Sequence, residues 1–275
     1  MKTRVITGIC MAAVLLPVAY FSGTWAYPIV LALLAAVGCF EMLRCIGIHK
    51  NLWITLPAVL AGAAMPLLAK ALPDACFTLL GIVTAGVMFW IFSVSLFSHG
   101  KLPIDTAGMA FLGLFYVIWG FCAMALLRQI PMGQYLFVLP FVGAWVSDTF
   151  AYFTGRLLGR HKLIPDVSPK KTVEGAVGGV VFAMLGFALF GFIVGKLGGG
   201  TPDYFALVIL GLPVSLVSIV GDLVMSLVKR RYNIKDYGKL FPGHGGVLDR
   251  FDSVLATAII LYLLCANTSF FGLMF

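Results

Sequence analysis

Between Gly221 and Ser253 the chain gathers side chains suited to holding phosphate. Asp222, Ser226 and Arg230 are spaced at i, i+4 and i+8, which places them on one stripe of a helix with the carboxylate two turns below the arginine. Lys229, Lys235 and Asp236 follow, then the turn Pro242-Gly243-His244-Gly245-Gly246, then Asp249, Arg250 and Asp252. Asp249 and Asp252 stand at i and i+3 at the opening of a further helix, so they share a face near the mouth of the same pocket. Three carboxylates brought together repel unless a cation lies between them. Oxygen donors without cysteine or paired histidine suit Mg²⁺ and disfavour zinc. The glycines let backbone approach a phosphate closely. Six Lys or Arg and three Asp fall within 229–252, a density of opposed charge for which a purely structural loop has no use.

A second group runs from Asp148 to Gly175. Asp148, Tyr152 and Arg156 recur every four residues, a stripe that reads either as a structural ion pair or as part of a binding site. Ser168 and Pro169 read as the cap and first-turn proline of the next helix. Lys170, Lys171 and Thr172 would then occupy a first turn where the helix dipole favours acids, so the two cations call for an anion such as phosphate. The plainer alternative is a basic loop whose lysines face water. Gly198-Gly199-Gly200-Thr201 lacks the ending of a phosphate loop and reads as a linker. Gly175 and Gly179 read as a helix-packing pair. Glu41 is the one acid expected within the body of a helix of the first 140 residues, and its role stays open between chemistry, a helix-end pair with Arg44 or Arg128, and a snorkelled position. The six scattered cysteines read as packing residues.

The elements that must position these groups are membrane helices. The chain is 61% hydrophobic and 11% charged, with a mean hydropathy of +1.04, against about 45–50% and about 25% in a soluble domain. Apolar runs predict an all-α, polytopic integral membrane protein with about nine transmembrane helices, at roughly 5–22, 26–45, 52–71, 76–98, 104–127, 133–154, 174–195, 204–229 and 252–271. The first run resembles a signal peptide, but Thr24-Trp25-Ala26 is a poor cleavage motif, so a spanning helix is expected. All nineteen Lys and Arg except Lys70, Arg128 and Lys196 fall on the face shared by the N-terminus and the even-numbered connections. That face, with the N-terminus, is expected to be cytoplasmic. The basic residues lie in membrane-adjacent loops, so anionic lipid or phosphate is the expected partner and nucleic acid is not. The chain divides into residues 1–130, helices without motifs, and 131–275, a catalytic region with cytoplasmic loops at 155–173 and 229–251.

From Ser226 to Asp252 the sequence SLVKRRYNIKDYGKLFPGHGGVLDRFD resembles the signature of phosphatidate cytidylyltransferases, the CDP-diacylglycerol synthases. Asp148, Tyr152 and Gly155, and the run Ser168-Pro169-x-Lys171-Thr172-x-Glu174-Gly175, are also similar to that family. The resemblance implies that CTP and phosphatidic acid give CDP-diacylglycerol and pyrophosphate. It implies Mg²⁺ on Asp222 and Asp249, with Asp148 and Asp252 as further ligands of it or of a second, monovalent cation. Lys229, Arg230, Lys235 and Arg250 would neutralise phosphates and His244 would orient one. Lys171, with Ser168 and Thr172, would grip a substrate phosphate, and Tyr152, Arg156, Ser226, Gly245 and Gly246 would line the substrates. The expected setting is a bacterial inner membrane with the site facing the cytoplasm, membrane lipid as a partner and a homodimer as one arrangement. The alternatives are a CTP-dependent transferase acting on another lipid phosphate, or a transporter of anions or lipid.

Overall fold

The structure, a computed structural model, describes residues 13, 15–198 and 200–266. Backbone groups in a bilayer must pair within their own segment, so long apolar runs become helices. Seven helices among the described residues are long and apolar enough to cross a membrane. They are α1 (Ala26–Ile46), α2 (Leu52–Ala71), α3 (Pro73–Phe97), α4 (Ile104–Leu127), α5 (Gly133–Leu158), α6 (Val173–Lys196) and α7 (Tyr204–Arg231). An eighth, α8 (Leu248–Cys265), opens with Asp249, Arg250 and Asp252. The run read at 5–22 lies mostly outside the described residues, of which 15–20 are helical, and 267–271 of the last run also lie outside them.

The chain folds as two compact units. One comprises residues up to Gln129 together with Tyr232–Phe251, and the other Ile130–Arg231 with the chain from Asp252. In the first, α1 packs on α2 and α4, and α3 covers the same two helices. Ala35, Cys39, Met42 and Leu43 of α1 and Leu114, Val117 and Phe121 of α4 are buried in its core. Gly47, with φ 91°, ends α1 by returning its N–H to the carbonyls of Leu43 and Arg44. The five described cysteines are buried packing residues; the sulfurs of Cys76 and Cys122 lie 3.6 Å apart, too far for a disulfide. The loop 232–251 belongs to this unit, and the first turn of α8 packs there through Phe251 on Phe121, with ring centroids 5.5 Å apart.

In the second unit α6 packs on α5 and α7. α5 is not one regular helix. Its middle, Val142–Val146, is a π-turn that follows Pro140, and the Thr257 hydroxyl donates to the Pro140 carbonyl at 3.0 Å. Such turns re-aim the residues beside them, here Ser147 and Asp148. Between α5 and α6 the chain forms an antiparallel hairpin of β1 (Lys162–Ile164) and β2 (Ser168–Thr172), with Lys162 opposite Thr172. Ser168 is therefore not a helix cap. A residue before proline is driven to extended backbone, and the cap falls to Thr172, whose Oγ1 accepts from the Gly175 N–H at 3.1 Å. Lys170 and Lys171 consequently stand on a strand, and the dipole argument for an anion beside them does not apply.

The close approach of α5 and α6 depends on glycine. A Cβ at Gly179 would lie 2.8 Å from the Ser147 carbonyl oxygen and 3.1 Å from Ala151 Cβ. Gly179→Val is expected to cost about 1–3 kcal/mol through overpacking and to lower the unfolding midpoint in detergent. Gly81→Ala, where a Cβ meets nothing within 4 Å, should leave the midpoint unchanged or raised.

Candidate functional site

In the second unit a pocket of about 300 Å³ opens between α5, the hairpin, α6 and α7. Asp148, Tyr152 and Arg156 line it from one stripe of α5, with the Arg156 guanidinium 3.4 Å from the Tyr152 hydroxyl. Lys171 and Thr172 enter from β2 and Asp222 from α7. The Lys171 ammonium forms an ion pair with the Asp222 carboxylate. Ser226, one turn on, lies 3.5 Å from the other Asp222 oxygen. Arg230, two turns on, instead donates to the Val167 carbonyl of the hairpin turn at 3.4 Å. Asp148 accepts from the Ser253 hydroxyl at 3.2 Å. Asp252 lies in the field of both Asp222 and Asp148, with Lys229 opposing them. The pocket thus joins the cations Lys171 and Arg156 to the carboxylates Asp148 and Asp222. Ser168 is on β2 but does not line it.

Three of the pocket's lining residues, Leu163, Ala176 and Ile219, also line a groove of about 450 Å³ whose other walls are Ile164, Val177, Val180, Val181, Leu216, Val220 and Leu223. Every residue of that groove is apolar. A polar pocket that runs into an apolar groove matches a molecule with a charged head and a hydrocarbon tail.

In the first unit the loop 232–251 carries the remaining predicted groups. Lys235, Asp236, Lys239, His244, Gly245 and Arg250 line an open basin of about 750 Å³. Gly245, with φ 89°, turns the chain so that the Phe241 N–H reaches the Gly245 carbonyl at 2.8 Å. The Asp249 Oδ2 accepts from the backbone N–H of Tyr237 at 2.7 Å, Gly246 at 2.9 Å and Gly238 at 3.4 Å. These bonds commit the Oδ2 of Asp249, named from the sequence as a metal ligand, to the loop backbone. The Arg44 guanidinium donates to the Tyr237 carbonyl. The His244 Nδ1 is buried without a hydrogen-bond partner, so a donor or acceptor for a ligand remains on the basin wall.

Among the described residues no three His, Cys, Asp or Glu side chains are gathered as a ready metal cage. Mg²⁺ does not require one, because it takes one or two carboxylates and completes its shell with water and substrate phosphates. The all-oxygen set of Asp222, Asp252 and Asp148 in the second unit fits that habit.

Sequence reasoning left two acids without a structural task. Glu174 accepts from the N–H groups of Arg160 and His161 at 3.1 and 3.2 Å and meets His161 Nδ1 at 2.6 Å, closing the hairpin onto α6. Glu41 accepts from the N–H groups of Val247 and Leu248. Its signal was a lone carboxylate in an apolar helix, which must find donors.

Comparison with known proteins agrees with this chemistry. The sequence model of the cytidylyltransferase family matches residues 2–268. A phosphatidate cytidylyltransferase of Bacillus subtilis is 32% identical over 274 residues, 97% of this chain and 98% of the relative. One of Helicobacter pylori is 35% identical over 263 residues, covering 96% and 91%. One of Brucella abortus is 46% identical over 153 residues, covering 55% and 54%.

The hairpin's closure is directly testable. Glu174→Ala should expose 159–172 to trypsin, with faster cleavage at Arg160, Lys162, Lys170 or Lys171 than in the parent protein. An unchanged digestion rate would show that the backbone pairing of β1 and β2 holds the hairpin without Glu174.

Proposed function

Because this chain belongs to the cytidylyltransferase family, we propose that it condenses CTP with phosphatidic acid to give CDP-diacylglycerol and pyrophosphate at the cytoplasmic face of a bacterial inner membrane. The observation that carries the reading is the polar pocket of Lys171, Arg156, Asp148 and Asp222 that shares Leu163, Ala176 and Ile219 with a wholly apolar groove. A site for nucleotide alone needs no such groove, and a passive lipid groove needs no ion-paired carboxylate. The concentration of Lys and Arg in alternate connections supports nine spans with a cytoplasmic N-terminus.

In the reaction an oxygen of the lipid phosphate attacks the α-phosphorus of CTP. The new P–O bond forms as the bond from that phosphorus to the bridging oxygen of the β-phosphate breaks, and pyrophosphate leaves with the electron pair. No base is required, since the attacking phosphate is already an anion at neutral pH. The protein's task is alignment and charge compensation. Lys171, with Arg156 and the Tyr152 hydroxyl, holds the lipid phosphate while the acyl chain follows the groove. Lys235, His244 and Arg250 hold the triphosphate and the departing pyrophosphate, and Lys229 and Arg230 add positive charge at the end of α7. Asp222 and Asp252, with Asp148 beside them, would hold Mg²⁺. When bound, that ion offsets phosphate charge that the side chains alone leave uncompensated.

Purified protein in detergent, given labelled CTP, Mg²⁺ and phosphatidic acid, should form CDP-diacylglycerol, and EDTA should stop it. Asp222→Asn should lower kcat by roughly 100-fold or more with the protein still folded. Lys171→Met should raise the KM for phosphatidic acid more than that for CTP. Failure to form product with phosphatidic acid or another lipid phosphate would overturn the reading in favour of a transporter.

A further inference from the structure

The first four helices carry no motif, yet one side chain of α1 reaches into the loop that holds the triphosphate-binding groups. Glu41 is 3% exposed in a helix otherwise almost wholly apolar. Its Oε1 accepts from the Val247 N–H at 3.1 Å and its Oε2 from the Leu248 N–H at 3.0 Å. These are amides at the very start of α8, and the first amides of any helix lack intrahelical partners. The residues that precede α8, Gly246 and Val247, have no side chain able to cap it. The cap therefore comes from another helix, as a carboxylate set against the positive end of the α8 dipole.

The loop is shaped to receive that carboxylate. A Cβ at Gly246 would find the Glu41 carboxyl group as its three nearest atoms, with Cδ and Oε2 at 2.5 Å. The φ of Gly246 is not in the left-handed region, so space taken by Glu41, rather than backbone conformation, demands glycine there. Gly238, across the loop, faces the same carboxyl group. Three residues along α1, Arg44 donates to the Tyr237 carbonyl. Asp249 takes the N–H groups of Tyr237, Gly238 and Gly246. The His-Gly-Gly turn thus sits between two buried carboxylates. Outside that clamp the basin walls carry Lys235, Lys239 and Arg250, with Asp236 among them.

We propose that Glu41 is a positioning residue for cytidylyl transfer: it holds 237–248 in the conformation that presents Lys235, His244 and Arg250 to the triphosphate. This inference rests on the proposed role of the loop. It makes the N-terminal helices part of the catalytic apparatus. Glu41→Gln keeps one acceptor but sets an amide nitrogen against the second N–H, so it should retain more function than Glu41→Ala.

The test uses the full chain in detergent. Glu41→Ala should lower kcat about tenfold or more and raise the KM for CTP, with the KM for phosphatidic acid unchanged and the unfolding midpoint close to that of the parent. Glu41→Gln should fall between the two. Gly246→Ala alone should lower activity, whereas adding it to Glu41→Ala should cost nothing further, since the obstructing carboxyl group is gone. Trypsin should cut at Lys235 or Lys239 faster in Glu41→Ala than in the parent, a readout independent of turnover. Parent-like kcat and KM for CTP in Glu41→Ala would overturn the proposal. So would additive losses in the double variant, or a loss that tracks a fallen midpoint and affects both substrates equally. A parent protein that makes no CDP-diacylglycerol, with the digestion difference present, would instead overturn the reading of the reaction and leave the clamp standing.

Discussion

Placing acids among apolar helices is costly unless donors surround each one, and in this protein four such acids, Glu41, Asp249, Glu174 and Asp222, are matched to polar segments of the chain that would otherwise be loose. Glu41 and Asp249 take backbone N–H groups of the 237–248 turn. Glu174 takes those of Arg160 and His161. Asp222 takes the Lys171 ammonium. In each case the helix supplies the carboxylate or the helix start, and the loop supplies the hydrogen. The polar connections are thereby fixed to the apolar framework without a soluble domain to support them.

That division of labour suits a reaction whose difficulty is electrostatic. Bringing two phosphate groups together requires cations held at set positions before the substrates arrive, because groups that must reorganise during the reaction lose much of their effect. Lysines on a free loop would face water. Lys171, on a two-stranded hairpin and paired with Asp222, does not have that freedom. The apolar groove along Val177, Val181 and Leu216 would serve the same end for a lipid, since a chain held there limits where its head can lie.

Much of this was legible in the sequence because hydrocarbon thickness sets helix length. The bounds of α2 and α4 follow from apolar runs alone, and the i, i+4 spacing of Asp148, Tyr152 and Arg156 was enough to place them on one wall of a pocket. What escaped was pairing over distance. Asp222 meets Lys171, on a strand rather than a helix, because Ser168-Pro169 favours extended backbone. The partners of Glu41 lie 206 and 207 residues away, and spacing carries no information at that range. The π-turn before Asp148 likewise has no period in the sequence to betray it.

The 27-residue stretch from Ser226 to Asp252 is contiguous in the chain but divided in the fold, since Tyr232–Phe251 belongs to the compact unit of the N-terminal helices and the residues on either side belong to the other unit. It is therefore not a portable cassette. A chimaera joined at residue 130 would import the turn without the helix that shapes it, so any exchange between relatives must carry 232–251 together with the first 129 residues.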